Sequence, residues 1–341
     1  MSFTPLQIIN KAANRYEFHI KDVDLAIVNG IRRIILSDIP NLGFRGEEDA
    51  TITIHKNTTP LHNEFMMHRI SLIPLHFSEE AVEAFIEDEY VFECSMKNTS
   101  PTMLPITTRH LTGKRNNQPL TEKELHAIFP THPLTQDPIL ITRLRQGEEL
   151  SFTAKVVRST AAEHASFSPV SLCTFYFTPK ESDKTGLEKE RDYHKNTYND
   201  PTQMQFLIEP ECALTPKYLV AKALEILLEK LNSPIHIKLS TTTPNTYEVT
   251  IPNENDTLGN LLQSLLFNKY IREQNKILNN RYSVTYVGYY TPHPLEKTVV
   301  LKMTLETEVT PEEFQAAFQE GLRYVEAELK NTYNAWLNSQ A

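Results

Sequence analysis

Two stretches 231 positions apart carry the same apolar stripe, and that repetition constrains the fold more than any other feature of the chain. Residues 28–40 read VNGIRRIILSDIP and residues 259–271 read GNLLQSLLFNKYI. With Asn29 set on Asn260, Ile27, Ile31, Ile34 and Ile35 fall on Leu258, Leu262, Leu265 and Leu266 without a gap. The shared spacing i, i+4, i+7, i+8 is one face of an amphipathic helix. Each helix follows a period-two stretch that reads as a strand, YEFHI at 16–20 and YEVTI at 247–251. Asp22 or Asp24 caps the first helix and Asn255 or Asp256 the second, with Pro40 just past the end of the first.

A second echo follows each copy. Thr215-Pro216 and Thr310-Pro311 each place a capping threonine before a proline at the first helical position, and Thr310 with Glu313 spells a capping box. Strand, striped helix, further strands and a Thr-Pro helix therefore occur twice in one order, the mark of an internal duplication. Asn260 to Thr310 spans 50 residues but Asn29 to Thr215 spans 186, so a domain-sized piece interrupts the first copy. Its segments ATITIH, YVFECSM, ILITRL and ELSFTAKVV alternate like strands between Pro- and Asn-rich turns.

The expected fold is α+β. Residues 1–42 and 170–234 form a first module, 43–169 a mainly β insertion and 235–341 a second, smaller module, the two modules packing as an intramolecular pseudo-dimer. The two stripes are the expected seam; eight such side chains at about 1.5–3 kcal/mol each are ample gross burial for it. The charged stretch 180–202 reads as an exposed loop.

Catalytic signatures are scarce. No phosphate-binding glycine motif, nucleophile elbow or H-E-x-x-H occurs, and the chain holds only 9 glycines. His62 and His68 lie six positions apart and do not share a helical face, so no metal is expected there, nor any cofactor elsewhere. Glu47-Glu48 and Glu148-Glu149 read as solvated turn residues. Arg32-Arg33 stands out as a charged pair on an apolar helix, turned away from the stripe, and arginine is favoured at protein interfaces. A formal net charge of -9 with pI near 5.8 gives no general basic surface for a phosphate backbone. Three widely spaced cysteines, Cys94, Cys173 and Cys212, suit neither a zinc ribbon nor a disulfide framework and point to a reducing, intracellular setting. The opening residues show no signal-peptide pattern, and no run of about 18 apolar residues occurs, so no membrane span is expected.

The stretches DLAIVNGIRRIILSDIPNLGF and TPLHNEFMMHRISLIPLHF (59–77) resemble the larger eukaryotic and archaeal alpha-like subunit of multisubunit DNA-dependent RNA polymerase, and LRQGEELSFTAKVVRSTAAEHASFSP (144–169) resembles its insertion domain. From about residue 235, NDTLGNLLQSLLF and VGYYTPHPLEKTVVLKMTLE resemble the smaller alpha-like partner. The chain thus looks like the two subunits fused through Asn232-Ser233-Pro234, similar to fusions in some large DNA viruses. The resemblance implies a non-catalytic assembly platform for transcription, one copy per complex, with the largest and second-largest polymerase subunits and small zinc-binding subunits as partners, and no direct sequence-specific DNA contact. It implies Arg32, Arg33, Glu64, His68 and Arg69 as the surface for the second-largest subunit and Pro292, His293, Pro294 and Leu295 as a docking turn. An intracellular site, nucleus or cytoplasm, follows, with virion packaging if the source is viral. The cysteine-rich zinc loop of some relatives is missing. Gly30 replaces the usual alanine or serine, and Gln263-Ser264 stands where the first copy has Arg32-Arg33, so the arginine surface is expected once. A hydrolase built from scattered His and Asp/Glu residues is the rival reading; it requires a deep pocket of clustered titratable groups. A free DNA-binding regulator fits poorly with the acidic charge.

Overall fold

A computed structural model describes every residue except 12, 13, 47, 48, 182–184 and 341. The chain opens with β1 (Ser2–Phe3), β2 (Gln7–Asn10), β3 (Arg15–Lys21) and α1 (Leu25–Ser37). β3 alternates, so Phe18 and Ile20 are buried while Glu17 and His19 stay half-exposed. Of the two candidate caps it is Asp24 that acts, its carboxylate accepting from the Ala26 amide at 2.8 Å; Asp22 instead takes a left-handed backbone with φ 56°.

The insertion follows in the order β4 (Asn41–Gly43), β5 (Ile52–Asn57), α2 (Asn63–Ser71), α3 (Glu79–Glu83), β6 (Tyr90–Lys97), β7 (Leu104–Thr107), β8 (Thr112–Arg115), β9 (Gln118–Pro119), α4 (Glu122–Ile128), β10 (Leu140–Leu144), β11 (Glu149–Lys155) and β12 (Val157–Ser159). Its main sheet runs β5-β11-β6-β8-β9, with β7 paired to β10. β4 and β12 pair with each other, Asn41 opposite Ser159, so the insertion leaves and rejoins the first half through one two-stranded stem. That geometry lets the module close around it. Gly43 is needed in the stem, because a Cβ there would lie 3.0 Å from the Phe167 ring. Glu47-Glu48 falls outside the described residues. Glu148 accepts from the Arg145 amide within a turn, and Glu149 pairs with Lys56 at 2.8 Å on the sheet.

β13 (Val170–Phe177), α5 (Leu187–Arg191), β14 (Gln203–Pro210) and α6 (Pro216–Lys230) complete the first half. The second half comprises β15 (His236–Leu239), β16 (Thr246–Pro252), α7 (Asp256–Phe267), a π-helical turn over Asn268–Arg272, α8 (Ile277–Asn280), β17 (Tyr282–Tyr290), β18 (Thr298–Leu305) and α9 (Pro311–Ser339). The two sheets run β1-β3-β14-β13 and β15-β16-β18-β17. In both, the strand before the striped helix lies beside the last strand of the unit, and the strand between them takes an edge. The duplicated sequence thus folds into a duplicated topology.

The terminal helices break the symmetry. α6 has 15 residues and α9 has 29. The start of α9 covers its own sheet, Phe314 stacking on Tyr247 at 4.1 Å. Its end crosses to the first half: Trp336 is fully buried, with its ring centroid 4.7 Å from that of Phe18 and 5.5 Å from that of Phe3, and its indole N–H donates to the Lys217 carbonyl at 3.1 Å. One hydrophobic core therefore runs through both halves. The stretch 180–202 is not the plain exposed loop that its local pattern suggests. It forms α5 and antiparallel bridges at Pro179–Tyr193 and Lys195–Pro201, and it carries Tyr198 and Asp200 to the second half. Their partners lie more than 70 positions away, beyond any local window.

Candidate assembly interface

α1 and α7 are in contact and lie antiparallel. All eight stripe residues are buried: Ile27, Ile31, Ile34 and Ile35 at 0–1% exposure, and Leu258, Leu262, Leu265 and Leu266 at 0–3%. The leucines are shared between the halves. Leu258 and Leu262 lie beside Leu231 and Ile235 at the joint and Phe318 of α9, while Leu266 faces Gly321 of α9, where a Cβ would sit 2.9 Å from it.

The hydrogen bonds across the seam fall on a different stripe. Ala26, Asn29, Gly30 and Arg33 share a small cavity with Thr257 and Asn260. Arg33 Nε donates to Thr257 Oγ1 at 2.7 Å. Ser264 Oγ donates to Asp24 Oδ1 at 3.0 Å, and Asn268 Nδ2 to Asp24 Oδ2 at 2.7 Å. Under the 231-residue offset Arg33 and Ser264 are counterparts, so each helix uses the same position to reach the first turn of the other. That reciprocity is the signature of a two-fold, isologous contact. Gly30 has a reason in the same place: a Cβ would stand 3.3 Å from Leu227 of α6.

The structure divides the arginine pair. Both are half-buried, but Arg33 is held at the seam, whereas the hydrogen bond of Arg32 runs along its own helix, Nε to Asn29 Oδ1 at 3.0 Å. The arginine surface expected of both is therefore reduced at Arg33, because Thr257 supplies an acceptor that the sequence hides 224 positions away. On α2, Glu64, His68 and Arg69 are all exposed. Arg69 is tied down, Nε to the Ile141 carbonyl at 2.9 Å and Nη2 to that of Leu140 at 3.3 Å, fixing α2 to β10. Sequence reasoning missed Phe65 and Leu72, which are 63% and 53% exposed beside these residues. The signal was present: Met66 and Ile70 fill the buried face of α2, leaving Phe65 and Leu72 as surplus apolar residues at i and i+7. Leu140, 39% exposed, adjoins them through Arg69. Pro292, His293, Pro294 and Leu295 form an exposed turn, closed by the Leu295 amide donating to His293 Nδ1 at 3.2 Å. Leu295 is 88% exposed, and the turn is tied to the start of α7 through Thr291 Oγ1 and Asp256 at 3.2 Å.

His62 is the N-cap residue of α2 and His68 sits on an exposed turn of it. Among the described residues no group of three or more His, Cys, Asp or Glu is placed to hold a metal ion. Burial pushes the Cys94 and Cys212 thiols up to about 11 and Cys173 to about 12, so none is a nucleophilic thiolate at neutral pH. Among the described residues no helix is long and apolar enough to cross a membrane.

Comparison with known proteins agrees with the doubled architecture. The family described as RNA polymerase Rpb3/Rpb11 dimerisation domain matches residues 17–231, and a second family of the same description matches 246–334. The chain is 26% identical over 270 residues to DNA-directed RNA polymerase II subunit RPB3 of Schizosaccharomyces pombe, covering 67% of this chain and 86% of that protein. It is 28% identical over 200 residues to DNA-directed RNA polymerases I and III subunit RPAC1 of Homo sapiens, and 28% over 179 residues to DNA-directed RNA polymerase subunit Rpo3 of Methanosphaera stadtmanae, covering 51% of this chain in each case. It spans 54% and 62% of those two proteins. These relatives lend the hydrolase reading no support.

Proposed function

The chain belongs to the RNA polymerase Rpb3/Rpb11 dimerisation-domain family, and we propose that it is a non-catalytic assembly subunit of a multisubunit DNA-directed RNA polymerase that supplies both members of the dimerising pair in one molecule. The observation that carries this reading is the seam. Two units of one dimerisation family share a continuous core and exchange reciprocal hydrogen bonds at Arg33–Thr257 and Ser264–Asp24. A pair that is separate chains elsewhere is here joined by a few residues, so its association is concentration-independent.

In this proposal the preformed pair nucleates the largest and second-largest subunits, with one copy per complex and small zinc-binding subunits as further partners. Arg32, Glu64, His68 and Arg69, with the exposed apolar Phe65 and Leu72, form the surface offered to the second-largest subunit, while Arg33 braces α1 against α7. An apolar patch rimmed by polar residues is what a protein partner covers. The exposed Leu295 turn is a second docking point. A fusion of this kind suits a large DNA virus, with the complex working in nucleus or cytoplasm or carried in the virion.

Affinity purification of the tagged full chain from its native source, with mass spectrometry, tests the proposal. Two very large polymerase-like polypeptides in near-equal amount are the expected companions; a chain recovered alone overturns it. Arg32→Ala then tests the surface: the large subunits should be lost while the melting temperature stays put, and undiminished recovery removes Arg32 from the interface.

A further inference from the structure

We propose that residues 193–202 form a latch that fastens the end of the inter-half seam remote from the covalent joint, acting through Arg272. This goes beyond the assembly reading and does not rest on it.

The two ends of the seam are built differently. At the joint, Lys230 at the end of α6 lies 3.2 Å from Asp38 and 3.1 Å from Glu254, and Ser233 Oγ donates to Glu254 at 2.9 Å. The repeat sets Val325, Lys269 and Val23 in the matching positions at the other end. Val325 and Val23 are buried and apolar, and Lys269 turns to Glu273 and the Tyr324 ring. No equivalent ion triad can form there.

What spans that end is the segment between β13 and β14. Arg272, on the π-helical turn, bonds Asp200 through Nη1 at 2.5 Å and Nη2 at 3.4 Å. Its guanidinium lies over the Tyr198 ring at 5.2 Å and over the Phe267 ring at 5.4 Å, and the Tyr198 hydroxyl donates to the Arg272 carbonyl at 3.4 Å. Arg272 Nη1 also donates to Asn268 Oδ1 at 3.0 Å, and Asn268 in turn donates to Asp24, the cap of α1. One chain of contacts thus joins the segment, the end of α7 and the start of α1.

An exposed ion pair alone contributes little, and Arg272 and Asp200 are 29% and 38% exposed. Cation–π contacts with two rings and the shared carboxamide make this arginine more than a lone surface pair. The widened turn explains its aim, since a π-helical turn rotates the side chains that follow it out of the α-helical register.

The segment is also preformed. Asn196 Oδ1 accepts from the Tyr198 and Asp200 amides at 2.9 Å, and the Asn196 amide donates to the Asp200 carbonyl at 2.9 Å. The Thr202 amide donates to His194 and the Asp22 amide to Thr202, rooting the segment at the end of β3. Such a turn can release Arg272 without unfolding, as a latch must. Behind it lies a cleft of about 650 Å³ between the halves, bordered by Asp24, Gln263, Glu273 and Glu328.

Hydrogen exchange on the full chain tests the latch. In Arg272→Ala, residues 193–202 and the first turn of α1 should exchange roughly tenfold faster, the effect of losing a charge-assisted hydrogen bond, with residues 228–238 and 254–258 unchanged. Tyr198→Ala, which leaves Asn268 and Asp24 in place, should reproduce the rise in 193–202, and Arg272→Lys should fall between the wild type and Arg272→Ala. Unchanged exchange overturns the proposal, as does a uniform rise over the whole chain. A rise confined to 193–202 in Arg272→Ala also overturns it, because the segment would then be a surface flap that does not hold the seam.

Discussion

The first half ends its helical layer at Lys230, after the 15 residues of α6, while the second half carries α9 on for 29. The two sheets have the same strand order, so the extra turns of α9 are not needed to complete the second half. They complete the first: Trp336 sits against Phe3 and Phe18, and Gln340 hydrogen-bonds Leu6 and Thr4. Equal skeletons therefore have unequal dependence. The first half borrows part of its core from the second, and the joint turns what would be an association into folding.

The largest test of that inequality is Trp336→Ala. Truncating a fully buried tryptophan costs about 3–5 kcal/mol, and the loss should show in chemical denaturation followed by circular dichroism. Hydrogen exchange should place the damage in β1 and β3, in the other half from the substitution. Damage confined to β16 and β18 would mean that the halves are self-sufficient.

A smaller effect separates the two ends of the seam. Burial alone would lower the Lys230 amine, but the charges of Glu254 and Asp38 hold it above its ordinary value. Lys230→Met removes the shared cation from two carboxylates that are 7% and 17% exposed and leaves them only their serine hydroxyl donors, a loss of about 2–3 kcal/mol for a charged partner removed. At the opposite end Val325 already stands in the matching place, so Val325→Met should cost about 1 kcal/mol through overpacking alone. Equal losses from the two substitutions would erase the distinction between the ends.

Much of this architecture was legible because it is local or periodic. The stripes, the threonine caps at Thr215 and Thr310 and the residue pairs that contain the caps Asp24 and Asn255 all show within windows of one or two helical turns, where spacing reports which face is buried. Only the structure selects Asp24 over Asp22 and Asn255 over Asp256. Arg33 was not legible: its acceptor is Thr257, and a hydroxyl 224 positions away leaves no trace in a helical wheel. Trp336 was not legible as core, because it reads as one apolar residue far from the Thr310 cap until its target is known. Phe65 and Leu72 were hidden differently. Met66 and Ile70 already fill the buried face of α2, so the apolar character of Phe65 and Leu72 does not report burial.

The insertion is the last asymmetry, and a proton tests it. It leans on α6 through α3: Tyr218 donates to Glu83 at 2.6 Å, Lys222 lies 2.7 Å and Arg158 3.4 Å from that carboxylate. Burial pushes the Glu83 carboxyl up, but hydrogen bonds from Lys222 and Tyr218 and the charges of Lys222 and Arg158 outweigh it and hold the group below the usual carboxylate value. A depressed folded value means that the unfolded chain takes the proton first. The contribution of Glu83 is therefore complete above the ordinary carboxylate range and disappears as pH falls through the lower folded value. Glu83 is 39% exposed, so solvent screening keeps the effect small. Glu83→Gln should flatten part of the acid limb of the stability curve without moving the neutral plateau by more than about 0.5 kcal/mol. The second half has no insertion to lean on α9, so exchange in β16 and β18 should be untouched by the substitution at any pH. An acid limb identical to that of the wild type would mean that α3 rests on α6 by shape and not by charge.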